Sequence, residues 1–161
     1  MKDYSTLITS PVFLKMKSSN KPIGLVTGVF DLLHQGHLFF LQKAREEMSK
    51  AGGYLIIGIE SDVRVKQLKG DDRPINNQEV RLKNLIETNL ADLVFVLPQN
   101  FSKASVRMEL LKQVRPKLLI VSESTPNQEK KQEMMVKIGG EVRVICAHDP
   151  NYSTTKILSK R

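Results

Sequence analysis

The 161-residue chain has no tryptophan, a single cysteine, three histidines and only 6% aromatic residues. One thiol excludes an internal disulfide framework and any multi-cysteine zinc site. Cys146 falls in the apolar run Val142, Val144, Ile145, where a small buried hydrophobe is expected. The scarcity of aromatics leaves no stretch in which basic and stacking residues interleave, so nucleic-acid binding finds little support. No run of about eighteen apolar residues occurs, and the first residues lack the basic, apolar and small-residue order of a secretory signal. A protein without a membrane span, in the cytoplasm, is the default expectation.

What is present is ordinary in amount: 40% hydrophobic and 26% charged residues, in a length that suits one domain. The charge is not balanced. A net +8 favours anionic partners, whether nucleotides, phosphorylated metabolites or nucleic acid.

Residues 1–21 show no clean period and read as an N-terminal extension with a short helix around Phe13 to Met16. The domain proper is expected over residues 22–161. It contains five continuous apolar runs, Ile23 to Thr27, Tyr54 to Ile59, Leu93 to Leu97, Leu118 to Val121 and Val142 to Cys146, which suggest strands buried on both faces. Between them, His37 to Ser49, Gln78 to Thr88, Ser102 to Val114 and Gln128 to Ile138 carry helical spacing. Gly52-Gly53, Pro116 and Gly139-Gly140 act as stops, and Asn76 or Asn77 as a cap. This alternation predicts an α/β fold, a Rossmann-like doubly wound sheet of about five parallel strands with helices on both faces. Ligands then belong at the carboxyl ends of the strands, near the point where strand order reverses.

Three segments fall on that rim. Thr27-Gly28-Val29-Phe30-Asp31-Leu32-Leu33-His34-Gln35-Gly36-His37 leaves the first strand and enters a helix. Glycines there permit close backbone approach, and the helix start offers free N–H groups to an anion. His34 and His37 straddle Gly36, so both imidazoles can reach one small volume. Zinc would need a third protein ligand that the neighbourhood does not supply; donation to phosphoryl oxygens suits the pair better. The second segment, Ser61 to Pro74, contributes Lys66, Lys69 and Arg73, either as an anion site or as a solvated basic loop. Arg81, on the following helix, is a further candidate for anion binding, or a surface partner of Glu79 or Asp92. In the third, Ser153-Thr154-Thr155 is either an ordinary helix cap or a phosphate cradle.

Together these residues resemble the cytidylyltransferase-like (HxGH) nucleotidyltransferase superfamily, marked by G-x-F-D-x-x-H-x-G-H after the first strand and a late S-T-T. Gly28 to His37 and Ser153-Thr154-Thr155 match both marks. Ser61-Asp62 through Leu68-Lys69-Gly70, Arg73-Pro74-Ile75-Asn76 and Glu79-Val80-Arg81 are most similar to adenylyltransferase domains that act on heptose 1-phosphate. Glycerol-3-phosphate cytidylyltransferases come next. The chain departs from both where Val121-Ser122-Glu123-Ser124-Thr125 replaces a glycine- and aspartate-containing turn. Asn151-Tyr152 also stands where the cytidylyltransferases carry arginine, which favours ATP over CTP.

The resemblance implies that an acceptor phosphate attacks the α-phosphorus of a nucleoside triphosphate and releases pyrophosphate. His34, His37 and Lys69 would be catalytic. Thr27, Gly28, Phe30, Gly36, Ser153, Thr154 and Thr155 would bind the nucleotide, and Lys66, Arg73 and Arg81 the acceptor. Mg2+ would accompany the triphosphate with no direct protein ligand. A homodimer is implied by relatives alone. Flavin mononucleotide adenylyl transfer is a further enzymatic alternative, and a basic nucleotide- or nucleic-acid-binding module the non-enzymatic one.

Overall fold

The computed structural model describes residues 5–146. In chain order the elements are α1 (Ser5–Ile8), α2 (Pro11–Ser18), β1 (Ile23–Gly28), α3 (Gln35–Lys50), β2 (Tyr54–Ile59) and α4 (Asp62–Lys69). They continue with α5 (Gln78–Glu87), β3 (Leu93–Val96), α6 (Ala104–Val114), β4 (Leu118–Ser122), α7 (Gln128–Val136) and β5 (Glu141–Cys146). The five strands pair in parallel in the order β3-β2-β1-β4-β5. The five apolar runs are the strands, and the sheet is the doubly wound one expected from them.

Alternate residues of each strand feed two separate cores. Val26 and Ile57, paired across β1 and β2, pack with Ile120 against Leu41, Ala44 and Met48 of α3 and Leu85 of α5. Their neighbours Leu25 and Ile56, also paired, turn to the other face and meet Leu110, Leu111 and Val114 of α6 and Met135 of α7. Continuous apolarity follows where both faces of a strand are covered; on the edge strand β5, Val144 stays 42% exposed. The chain lays β1, β2 and β3 outward in one direction, then returns to place β4 on the free edge of β1. Strand order reverses between β1 and β4, which opens a crevice at their carboxyl ends.

Local signals explain the helix boundaries. Asn77 caps α5 by accepting from the Val80 N–H at 3.0 Å. Arg115, at φ 49°, ends α6 ahead of Pro116 in the left-handed conformation common at such ends. The stretch after β2, read above as a candidate basic loop, instead forms α4, begun by Ser61 Oγ accepting from the Arg64 N–H at 3.2 Å. Among the described residues no helix is long and apolar enough to cross a membrane. The Ser153-Thr154-Thr155 segment and the packing expected of the Cys146 side chain lie outside the described residues.

The segment before Ile23 contains the expected helix, α2, yet it does not hang off the domain. Leu7, Phe13 and Met16 are at most 3% exposed and sit in the core under α6 and α7. Lys17 Nζ also donates to the Val114 carbonyl at 3.0 Å. Phe13→Ala is accordingly expected to cost about 3 to 5 kcal/mol of unfolding free energy, read from urea denaturation. A change within 0.5 kcal/mol, roughly the surface-substitution range, would show the segment to be dispensable.

Candidate active site

The crevice between β1 and β4 is a cavity of about 850 Å³. The turn leaving β1 makes one wall. Gly28 is needed because a Cβ there would come within 2.8 Å of the Phe30 ring, and Phe30 itself is held at φ 51°, a conformation that costs a non-glycine residue energy. His34 then caps α3, its Nδ1 accepting from the His37 N–H at 3.3 Å. An Nδ1 that accepts leaves the proton of the neutral ring on Nε2. The two imidazoles stack, centroids 3.7 Å apart and planes at 19°, while Phe30 meets His37 edge-on at 5.3 Å. Two rings so close cannot both be charged cheaply unless an anion lies beside them.

The turn is fixed from behind by two buried charges. Asp31, 1% exposed, accepts from the Ile75 and Asn76 N–H groups, each at 2.8 Å, and from Arg73 Nε at 3.4 Å. Arg81 is 0% exposed. Its guanidinium donates to the carbonyls of Val29 at 2.9 Å, Glu60 at 2.8 Å and Asn76 at 3.0 Å, and pairs with Asp62 at 2.7 Å. Arg81 therefore makes neither the surface pair nor the acceptor contact read from its position: its donors face backbone inside the protein. Asp92 pairs with Arg45 instead, at 2.6 Å.

Of the other expected residues, Thr27, Gly28, Phe30, Gly36 and Lys69 line the cavity together with the histidines. Burial, then the charge of Arg73, lowers the Lys69 pKa, and Asp31 opposes the shift. Arg73, 8% exposed and paired with Asp31, does not line the cavity, and its Nη2 is buried with no hydrogen-bond partner among the described residues. Lys66 is exposed and does not line the cavity.

The profile of the cytidylyltransferase-like family matches residues 25–160. The chain belongs to that family. It is 31% identical over 96% of its length to "Bifunctional protein HldE" of Campylobacter fetus subsp. fetus, and 38% identical over 87% to the protein of the same name from Nitratiruptor sp.. These alignments cover 31% and 28% of the two relatives, so the chain spans under a third of their length. Among solved structures, the lipopolysaccharide core biosynthesis protein of Thermoplasma volcanium superposes at a TM-score of 0.60 with 24% identity, over 78% of this chain and 95% of that one. The pantoate-beta-alanine ligase of Francisella tularensis does so at 0.55 with 17% identity, over 91% and 72%. Both show the fold.

In this cytidylyltransferase-like domain the opposite wall comes from β4 and α7. Ser122, Thr125 and Lys131 line it, and Gln128 Nε2 pins the turn by donating to the carbonyls of Ser122 at 3.2 Å and Glu123 at 3.0 Å. Ser122 and Thr125 were visible in the sequence only as a departure from the family's usual turn. Lys131 carried no signal, because its helix reaches the cavity only through the crossover from β4. Behind Lys131, burial raises the Glu60 pKa, and the cations Arg64, Arg81, Arg107 and Lys131 oppose that shift.

Arg81→Met is expected to lower the unfolding free energy by about 3 to 5 kcal/mol, since Asp62 and three carbonyls lose their partner; an unchanged denaturation midpoint would refute this scaffolding role. For Glu60, a folded pKa above the unfolded one means that the native state holds more protons between the two values. Stability should then fall as pH rises through that window and return on acidification. Glu60→Gln should flatten the profile, measured as urea midpoints across the acidic range.

Proposed function

We propose that this domain is a nucleotidyltransferase that moves AMP from ATP onto a sugar phosphate such as heptose 1-phosphate and releases pyrophosphate. The stacked histidine pair at the crevice where strand order reverses, with Lys69 lining the same cavity, carries this reading. An oxygen of the acceptor phosphate attacks the α-phosphorus in line. The new P–O bond forms as the bond to the β-phosphate oxygen breaks, and the electron pair leaves with pyrophosphate. Negative charge moves onto the bridging and β-oxygens, so groups fixed beforehand at that place lower the barrier.

His34, with its proton on Nε2, and His37 are assigned to those oxygens. Lys69 neutralises the crowded phosphates, and its depressed pKa reflects an ammonium that gains from an arriving anion. Arg73, whose Nη2 has no hydrogen-bond partner among the described residues, is assigned to the acceptor phosphate by the resemblance of its segment to heptose 1-phosphate adenylyltransferase domains. Thr27, Gly28, Phe30 and Gly36 shape the phosphate-facing turn, and Ser153, Thr154 and Thr155 hold the β- and γ-phosphates. Mg2+ bound with the triphosphate supplies further charge neutralisation. The Asp31 carboxylate is engaged by Ile75, Asn76 and Arg73, and no group of three or more metal-ligating side chains occurs among the described residues. That donor set suits an ion carried by phosphate oxygens and water.

Four nucleoside triphosphates assayed against a panel of phosphorylated acceptors, with pyrophosphate detection, test the reading; ATP with heptose 1-phosphate is expected to give the highest kcat/KM. His37→Ala should lower kcat by about 100-fold or more, while Thr154→Ala should chiefly raise the KM for ATP. Activity should decline on the alkaline side below the usual lysine range, and Lys69→Arg should move that decline upward. Tight ATP binding without pyrophosphate from any pair would leave a binding module instead.

A further inference from the structure

The turn after β4 forms a stretch of the cavity wall to which the proposed transfer chemistry gives no role. Ser122 and Thr125 line the cavity there, next to Ile120 and Val121. The pairing of β4 with β5 shifts register between Val121 and Ser122, and an irregularity of that kind re-aims the side chains that follow it. The turn holds its shape without help from its hydroxyls. It is closed by the Thr125 N–H donating to the Ser122 carbonyl at 3.1 Å and by Gln128 Nε2 donating to the Ser122 and Glu123 carbonyls. Lys131 Nζ ties its far end by donating to the Pro126 carbonyl at 3.2 Å. The hydroxyls are not helix caps either: Asn127 holds the cap position of α7, and Ser122 Oγ instead lies 3.1 Å from Ser124 Oγ and 3.4 Å from Thr125 Oγ1. Because a hydroxyl has one donor and two acceptor sites, hydroxyls bonded to one another keep a donor and several acceptors to offer.

That chemistry selects the occupant. A phosphate only accepts, and it is better served across the cavity by two stacked imidazoles and Lys69. An apolar group would leave both hydroxyls unpaired. A sugar diol donates and accepts at two neighbouring oxygens, as the hydroxyl pair itself does. We infer that Ser122 and Thr125 form a sugar-hydroxyl subsite that reads a vicinal diol of one substrate, either the ribose of the nucleotide or the acceptor sugar. The inference rests on the nucleotidyl-transfer reading of the cavity and adds specificity-determining residues to it. With the turn fixed by backbone and Gln128 before a ligand arrives, binding has little side-chain ordering to offset.

Two sets of probes separate the sources: ATP with 2′-deoxy-ATP and 3′-deoxy-ATP, and heptose 1-phosphate with its monodeoxy derivatives. Calorimetric titration of the full chain with Mg2+ reads the first set, and the same titration in the presence of saturating α,β-methylene-ATP reads the second. In one set the loss of a hydroxyl should weaken binding about fivefold, the scale of a neutral hydrogen bond, and that set names the sugar. Ser122→Ala and Thr125→Val should each shrink the factor to below about twofold, whereas Thr125→Ser, which keeps the hydroxyl, should preserve it. A merely structural role would lower the affinity for every probe alike and leave the ratio unmoved. Insensitivity of both sets to hydroxyl loss, or a ratio unchanged in both the Ala and the Val variant, overturns the subsite. Pyrophosphate release from the unmodified substrates is scored in parallel: turnover without hydroxyl dependence removes the subsite alone, and hydroxyl-dependent binding without turnover removes the transfer reading alone.

Discussion

A single buried guanidinium organises the cavity. Arg81 holds the carbonyl after β1, the carbonyl after β2 and the carbonyl that precedes α5, and it is neutralised by the first residue of α4. A guanidinium taken fully out of water carries a large desolvation cost, which its fork of donors offsets only while all four acceptors stay in place. The histidine turn, the end of β2 and the loop from α4 to α5 are therefore locked to one another. Asp31 repeats the device with opposite charge, gripping the backbone at Ile75 and Asn76. The strained Phe30 and the stacked imidazoles persist because these two anchors fix the backbone on either side of them.

In front of this scaffold the protein keeps polar groups incompletely satisfied. Burial and neighbouring cations lower the pKa values of Lys69 and Lys131, and among the described residues Arg73 Nη2 and one Glu60 carboxylate oxygen have no hydrogen-bond partner. Each of these lowers stability in the absence of a ligand, whereas the same desolvation strengthens the attraction of the three cationic groups to an anion. The cost is carried by two apolar cores, one on each sheet face, to which the segment before β1 adds Leu7, Phe13 and Met16. Stability and binding are thus divided between the interior and the carboxyl rim, a common arrangement for open α/β sheets.

The sheet could be read from residue order alone, because strands buried on both faces must be continuously apolar and the stretches between them carry helical spacing with glycine, proline or asparagine at their ends. The histidine turn was readable for a related reason: a strand-to-helix turn rich in glycine and histidine has few structural uses. Helix α4 was missed because it is short and strongly polar, with only Val65 fully buried, so its period is faint. Arg81 was misplaced because an arginine beside glutamate on an amphipathic helix looks like a solvent-facing residue. The carbonyls of Val29, Glu60 and Asn76 together with the Asp62 carboxylate make its burial tolerable.

Local chemistry determined which residues are strands, where the helices begin and stop, and that a turn bearing glycine and two histidines follows the first strand; each depends on neighbours a few positions apart. Tertiary structure decided which charges face the cavity and which face the backbone. It buried Arg81, left Lys66 in solvent and brought Lys131 to the cavity from the far face of the sheet. Those outcomes depend on electrostatic contacts between residues tens of positions apart, and the strength of such contacts is set by how much water the finished fold excludes.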